Sequence, residues 1–500
     1  MNEFQGKLYP TEYKYKYPKA GEANSVVSIH IFDVANLSTV KVDIGKETDQ
    51  YIPRIKWTED PELLSVLRMN RHQNKLELMF ALAKTGETRT ILTEENQTYI
   101  DISDNLTFLK DKKSFIWSSE KDGFNHLYLY NMEGQLINQI TKGTWDMADF
   151  KGVDEKTKTV YFGSAETSIT DRDVYSISLN GTNKKKITTE KGSNSIDFSE
   201  GFKYYIQSFS DANTPPVITL HSSNGKQIRV LEDNSELRKK LANYNLSKKE
   251  FFSFTTTEGV QLNGWMIRPY NLDPNKKYPV FMTLYGGPGS NQVINGWGGS
   301  TFFWHQLLAQ KGYIIACVDN RGTGLRGEKF KKCTYKQLGK FETIDQIESA
   351  KYIGSLAYVD KTRIGIQGWS YGGYMSSLCL TKGADYFKAA IAVAPVTNWR
   401  FYDSIYTERY MQTPQENPEG YDDNSPINHV DKLKGKYLLV HGTADDNVHF
   451  QNSVEMINAL VKSNKQFDLA IYPDKNHGIS GGNSRIHLFT KMTNFLLENL

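Results

Sequence analysis

Residues 363–381 read RIGIQGWSYGGYMSSLCLT. The segment opens on a short apolar run, RIGIQ. It then turns through Gly368-Trp369-Ser370-Tyr371-Gly372-Gly373 and continues as YMSSLCLT, a stretch of helical character. Small residues on both sides of Ser370 let the backbone reverse without a Cβ clash, which places the serine between a strand and a helix. A serine raised on such a turn is a candidate nucleophile. The Tyr371 N–H, at the helix start, is a candidate donor to an oxyanion.

Strands and helices alternate around this segment. Apolar strands are expected at 278–285, 313–319, 363–368, 389–394, 437–440 and 468–472, with helices at 343–353 and 371–380. That alternation predicts a largely parallel sheet covered on both faces. A serine hydroxyl needs a base, and the base needs an orienting carboxylate. In the α/β-hydrolase order Ser, acid, His, the acid lies in KYLLVHGTADDNVHF (436–450) and the base in DLAIYPDKNHGISGG (468–482). Asp445 or Asp446 is the acid, and the residue pattern does not choose between them. His477 is the base. His441 reads as a packed residue at a strand end. His449 follows the acid too closely, and His487 falls in a terminal helix.

Leu284-Tyr285-Gly286-Gly287-Pro288-Gly289 closes the strand at 278–285. The Tyr285 phenol is either a second oxyanion donor or a packed ring. Val396, Trp399, Tyr402 and Tyr406 follow the strand after the nucleophile. Their spacings of three and four predict one shared helical face, serving either the core or an apolar box the size of a pyrrolidine ring.

The N-terminal half is repetitive. HIFDVANLSTVKV (30–42), LMFALAKTGETRTIL (78–92), LYLYNMEGQLINQI (127–140), VYSISLNGTNKKKIT (174–188) and ITLHSSNGKQIRVL (218–231) share the form strand, polar turn, strand. Their turns centre near Asn36, Gly86, Gly134, Gly181 and Gly225, in steps of 50, 48, 47 and 44 residues. A hairpin recurring at this period predicts the blades of a β-propeller, the alternative being a non-repetitive β-sandwich. The expected architecture is an incomplete β-propeller of about five blades over residues 1–245, then an α/β-hydrolase domain over 246–500. A polar helix within DNSELRKKLANYNLSKKEFFSF (233–254) marks the change.

Composition excludes several classes. In 500 residues, 60 Lys+Arg against 57 Asp+Glu leave +3, too near neutral for an electrostatic nucleic-acid or membrane binder. The 12% aromatic content, 29 of it tyrosine by count, favours strands. Cys317, Cys333 and Cys379 are too few for a disulfide framework, and no zinc-ligand pattern occurs, so no metal or other cofactor is expected. No apolar run is long enough to span a bilayer. MNEFQGKLYPTEYKYKYPKAG (1–21) carries no signal-peptide pattern.

GWSYGGYM (368–375), APVTNWRFYDSIYTERYM (394–411), HGTADDNVHFQNS (441–453) and the Asn476-His477-Gly478 loop together resemble the dipeptidyl peptidase IV family, of the prolyl oligopeptidase group. YPKAG (17–21) and HSSNGKQIRVLEDNS (221–235) resemble that family's propeller. The resemblance implies a serine exopeptidase releasing N-terminal X-Pro, or less well X-Ala, dipeptides. It assigns Ser370, Asp445 and His477 to the triad and Tyr285 beside the Tyr371 N–H to the oxyanion. Tyr371, Val396, Trp399, Tyr402, Tyr406 and Val448 would line the proline pocket, and Asn447 would hold the first substrate carbonyl. It also implies a homodimer and an extracytoplasmic setting.

One departure stands out. The family binds the substrate amine through adjacent glutamates that precede YPKAG, and no such pair precedes Tyr17 here. Glu94-Glu95 occupies a different context. An arginine that helps hold the carbonyl has no counterpart either. The expectation is therefore an N-terminally shortened chain, lacking about three of eight blades and any export signal, with Met1 an internal methionine and activity impaired. The competing readings are another prolyl peptidase or esterase on the same fold, and a catalytically silent peptide-binding propeller.

Overall fold

The computed structural model describes residues 2–4, 6 and 8–500; Met1 lies outside the described residues. Four four-stranded antiparallel sheets follow one another from Gln50 to Glu232, preceded by the two-stranded hairpin His30–Asp33/Ser38–Lys41. The last four repeated hairpins of the sequence each form the third and fourth strands of a sheet, as with Lys75–Leu82 and Thr88–Glu95, and the first forms the two-stranded one. Among the described residues the N-terminal half thus holds four four-stranded sheets and two two-stranded hairpins, the other being Asn2–Glu3/Thr11–Glu12, and forms an incomplete propeller.

Side chains that point alternately to the two faces of a doubly buried strand explain why the blades stack. In Ser114–Ser119, Phe115 and Trp117 pack with Leu67, Leu78 and Phe80 of the preceding sheet. Ile116 turns the other way, against Val160 and Phe162 of the next. A strand buried on both faces needs apolar residues at successive positions, whereas an outer strand does not. All six residues of Gln227–Glu232 are accordingly exposed.

After the helix Ser235–Leu241 the chain enters one eight-stranded sheet. Its strands in chain order are β1 (Lys249–Thr255), β2 (Gln261–Ile267), β3 (Tyr278–Leu284), β4 (Ile314–Asp319), β5 (Val359–Trp369), β6 (Ala389–Val393), β7 (Lys436–Gly442) and β8 (Asp468–Tyr472). The spatial order is β1-β2-β4-β3-β5-β6-β7-β8, with β1 and β2 antiparallel and the strands from β4 onward parallel. Two apolar clusters cover its faces. One includes Met282, Ile366, Tyr374 and Leu378; the other includes Phe281, Ile315, Ile391 and Leu488. This is the expected α/β-hydrolase sheet.

Charged contacts join the two halves. Arg71 grips both carboxylate oxygens of Glu408 at 2.8 Å, and Glu408 is 1% exposed. Lys331 reaches Asp101 and Glu120, each at 2.5 Å. Removing one partner of a buried pair strands the other without solvent. Arg71→Ala should therefore destabilise the fold by about 3 kcal/mol, read as a lower urea midpoint at unchanged m-value.

Among the described residues no helix is long and apolar enough to cross a membrane. None of their His, Cys, Asp and Glu side chains form a group that could hold a metal ion, and all three cysteines are unpaired.

Candidate active site

β5 delivers Ser370 at its C-terminal edge, and a helix, α1 (Tyr371–Lys382), starts at once. Ser370 sits at φ 59°, ψ −117°, a conformation that strains a non-glycine residue by about 1–3 kcal/mol. The flanking glycines make the turn possible. A Cβ on Gly368 would lie 2.2 Å from the Gly372 carbonyl carbon, and one on Gly372 would lie 2.3 Å from the Leu284 oxygen. The Ser370 N–H donates to the Val393 carbonyl at 2.8 Å, so the neighbouring strand β6 holds the elbow. Among the described residues the Ser370 hydroxyl makes no hydrogen bond within 3.5 Å.

Asp445 and His477 lie on the loops after β7 and β8. His477 Nδ1 lies 2.7 Å from Asp445 Oδ2. Asp445 is buried, and its Oδ1 accepts the N–H groups of Asn447 at 3.0 Å and Val448 at 2.9 Å. Burial pushes the Asp445 pKa up. Hydrogen bonds from His441 and His477 outweigh it, so the net shift is downward from the usual carboxylate value. An ionised Asp445 sets the His477 tautomer: Nδ1 carries the proton and Nε2 keeps its lone pair. The Trp369 indole donates to the His477 carbonyl at 3.0 Å, which ties the histidine loop to the residue before Ser370. Asp446 is exposed.

Each competing histidine has other partners, although His441 shares Asp445 with His477. Buried His441 bridges Asp445 Oδ2 (3.1 Å), the Val448 carbonyl (2.8 Å) and Ser453 Oγ (2.7 Å). His449 packs against Tyr15 and Tyr17, and His487 contacts Tyr472.

Tyr285 follows β3 directly. Its ring lies 5.9 Å from that of Tyr371, and among the described residues its hydroxyl has no hydrogen-bond partner. Burial raises its pKa, which keeps it a donor. Tyr371, as the first residue of α1, has an N–H outside the helix ladder.

The aromatic residues do converge. Trp399 stacks on Tyr406 at 5.9 Å, meets Tyr371 at 5.5 Å and Tyr402 at 5.8 Å, and Val396 and Val448 are buried beside them. The expectation of one helical face is corrected, however. Trp399–Phe401 is a 3₁₀ turn, Tyr402 is extended, and the helix α2 (Ser404–Met411) starts only after Asp403. The Asp403 carboxylate accepts the Tyr406 N–H at 2.7 Å, an N-cap that starts a new helix within the aromatic run. The rings meet from three local conformations.

Two partners escaped the sequence reading. Glu342 accepts the Tyr371 hydroxyl at 2.7 Å and the Gly339 N–H at 2.9 Å. Burial pushes its pKa up to about 7 despite those bonds. A glutamate at the third position of a helix reads as a capping residue, so its sequence signal was an N-terminus and not a pocket wall. Tyr17 donates to the Asn447 carbonyl at 2.7 Å. No local pattern links residues 430 positions apart.

A model of the dipeptidyl peptidase IV N-terminal region matches residues 1–216, and one of the prolyl oligopeptidase family matches residues 300–500. The crystal structure of Porphyromonas gingivalis dipeptidyl peptidase 4 superposes on the whole chain with a TM-score of 0.97 at 47% identity, the chain covering 71% of it. The chain belongs to the dipeptidyl peptidase IV family. Other members include the dipeptidyl peptidase 4 of Trichophyton equinum, 34% identical over 94% of this chain and 63% of the relative. A Coccidioides posadasii protein named "Probable dipeptidyl-aminopeptidase B" is 36% identical over 98% of this chain and 56% of its own length. The chain thus spans about half the length of the curated relatives it matches.

Proposed function

We propose that this member of the dipeptidyl peptidase IV family is a serine exopeptidase that releases X-Pro, or less well X-Ala, dipeptides from peptide N-termini. The observation that carries the reading is the His477–Asp445 pair at 2.7 Å, on loops of which one is tied at 3.0 Å to Trp369, the residue before a strained Ser370. In this scheme Ser370 Oγ attacks the carbonyl carbon of the substrate's proline residue while His477 Nε2 takes its proton. The tetrahedral oxyanion is stabilised by the Tyr371 N–H and the Tyr285 hydroxyl. As the C–N bond breaks, His477 returns the proton to the leaving amine. Water, deprotonated by His477, then attacks the ester, and Ser370 recovers its proton as the dipeptide leaves.

The pocket supplies the specificity in this reading. Tyr371, Val396, Trp399, Tyr402, Tyr406 and Val448 enclose a compact apolar ring, which proline fills and alanine fills less well. Asn447 holds the first substrate carbonyl. Residues 1–245 restrict access to short peptides, and residues 246–500 perform the chemistry. The resemblance extends the proposal to a homodimer and an extracytoplasmic setting.

A fluorophosphonate probe should label Ser370, with Gly-Pro-nitroanilide preventing the labelling. kcat/KM for that substrate should exceed the value for p-nitrophenyl acetate. Labelling that maps elsewhere, or a preference for the ester, would overturn the reading.

A further inference from the structure

The loop that carries Asp445 must present Asn447 and Val448 to substrate in a fixed pose. Most of its polar groups are held from within. The Asp445 carboxylate takes the N–H groups of 447 and 448, and His441 Nε2 lies 2.8 Å from the Val448 carbonyl. The Asn447 carbonyl is held from outside the loop. Its partner is Tyr17, in the segment preceding the first hairpin, which donates its hydroxyl at 2.7 Å.

That segment is itself anchored on the pocket. The Pro18 carbonyl accepts the Ser404 N–H at 2.9 Å, the Ala20 N–H donates to the Tyr402 carbonyl at 3.1 Å, and Lys19 pairs with Asp403 across an antiparallel bridge. The Tyr17 ring also stands edge-on to Tyr402 at 6.5 Å and lies 4.1 Å from the His449 ring. Tyr402 in turn donates its hydroxyl to Asn447 Oδ1 at 2.6 Å. With Oδ1 taken, the Asn447 amide offers only its Nδ2 hydrogens, which suits a carbonyl ligand.

We infer that Tyr17 is a positioning residue for dipeptide recognition: its hydroxyl clamps the Asn447 backbone, and through Tyr402 and Asn447 it fixes the donor that meets the first substrate carbonyl. The inference rests on the dipeptidyl-peptidase reading and deepens it. Tyr17 touches neither the hydroxyl nor the imidazole that perform the chemistry, so its removal should act on binding.

The test is Tyr17→Phe, which keeps the ring and deletes the hydroxyl. KM for Gly-Pro-nitroanilide should rise about tenfold, with kcat within about threefold of the parent, as the loss of one neutral hydrogen bond implies. In an Asn447→Ala background the same change should raise KM less than about twofold, because coupled groups are not additive. Fluorophosphonate labelling, which needs no dipeptide carbonyl, reports whether Ser370 and His477 remain in place. An unchanged KM, an equal KM effect in both backgrounds, or labelling that falls together with affinity would each overturn the inference.

A separate readout keeps the two proposals apart. If the parent chain fails to hydrolyse the nitroanilide, the dipeptidyl-peptidase reading falls by itself. Hydrogen exchange at the Asn447 and Val448 amides then tests the clamp. Tyr17→Phe should speed it about fivefold while leaving α1 amides unchanged, on the same single-bond reasoning. Unaltered exchange at those two amides would remove the clamp as well.

Discussion

A Ser370→Ala chain should turn over Gly-Pro-nitroanilide about 10⁶-fold more slowly than the parent, with its fold intact. Alanine keeps the Cβ, so the residue retains the strained φ of 59°, and the Val393 and Tyr374 hydrogen bonds run through backbone atoms that the change spares. Urea denaturation should therefore shift by less than about 0.5 kcal/mol. What disappears is the covalent route. Tyr285 and the Tyr371 N–H remain, and they should leave a residual rate about 10³-fold above that in water. Single-turnover kinetics and active-site titration read both numbers. A loss of less than about 100-fold would place the nucleophile elsewhere. Ser370→Gly offers a second check, since glycine tolerates this φ and should be slightly more stable while equally inactive.

The difference between what sequence exposes and what it hides follows from the range of each interaction. The elbow at Gly368–Gly373 is local: glycines, serine and flanking periodicities lie within a few residues, so pattern reveals it. The blades are legible for the same reason, because each outer hairpin is contiguous and its turn needs Gly or Asn. The inner two strands of each blade are less visible. Ser114–Ser119 is buried on both faces, so alternation is lost and SFIWSS carries no clear period. The aromatic box was legible in composition and misread in conformation, because Asp403 ends one turn and caps the next helix. Asp445 and Asp446 are equivalent as pattern. They differ in the folded chain, where a buried carboxylate collects two loop N–H groups and two imidazoles. Glu342 and Tyr17 act across large sequence separations on partners that no periodicity names.

The Asp445 loop also sets the second large expectation. Asp445→Asn should lower kcat about 10⁴-fold with little change in KM. The asparagine Oδ1 can still accept the Asn447 and Val448 N–H groups at the places now 3.0 and 2.9 Å away, so the substrate-facing loop keeps its shape. Its Nδ2 hydrogens then point at His477 Nδ1 and His441 Nε2, where a carboxylate oxygen now sits. A donor facing the His477 Nδ1–H is repulsive. The imidazole relieves it by moving its proton to Nε2, which removes the lone pair that should deprotonate Ser370. Stability should follow the carboxylate. The Asp445 pKa is lowered in the folded chain, so its contribution is complete above the unfolded value of about 3.9 and fades as pH falls through the lower, folded value. The parent should therefore lose stability below about pH 4 more steeply than Asp445→Asn, which has no proton to gain there. If the variant matched the parent in rate, or if the two acid limbs coincided, neither the tautomer role nor the ionised state assigned to Asp445 would stand.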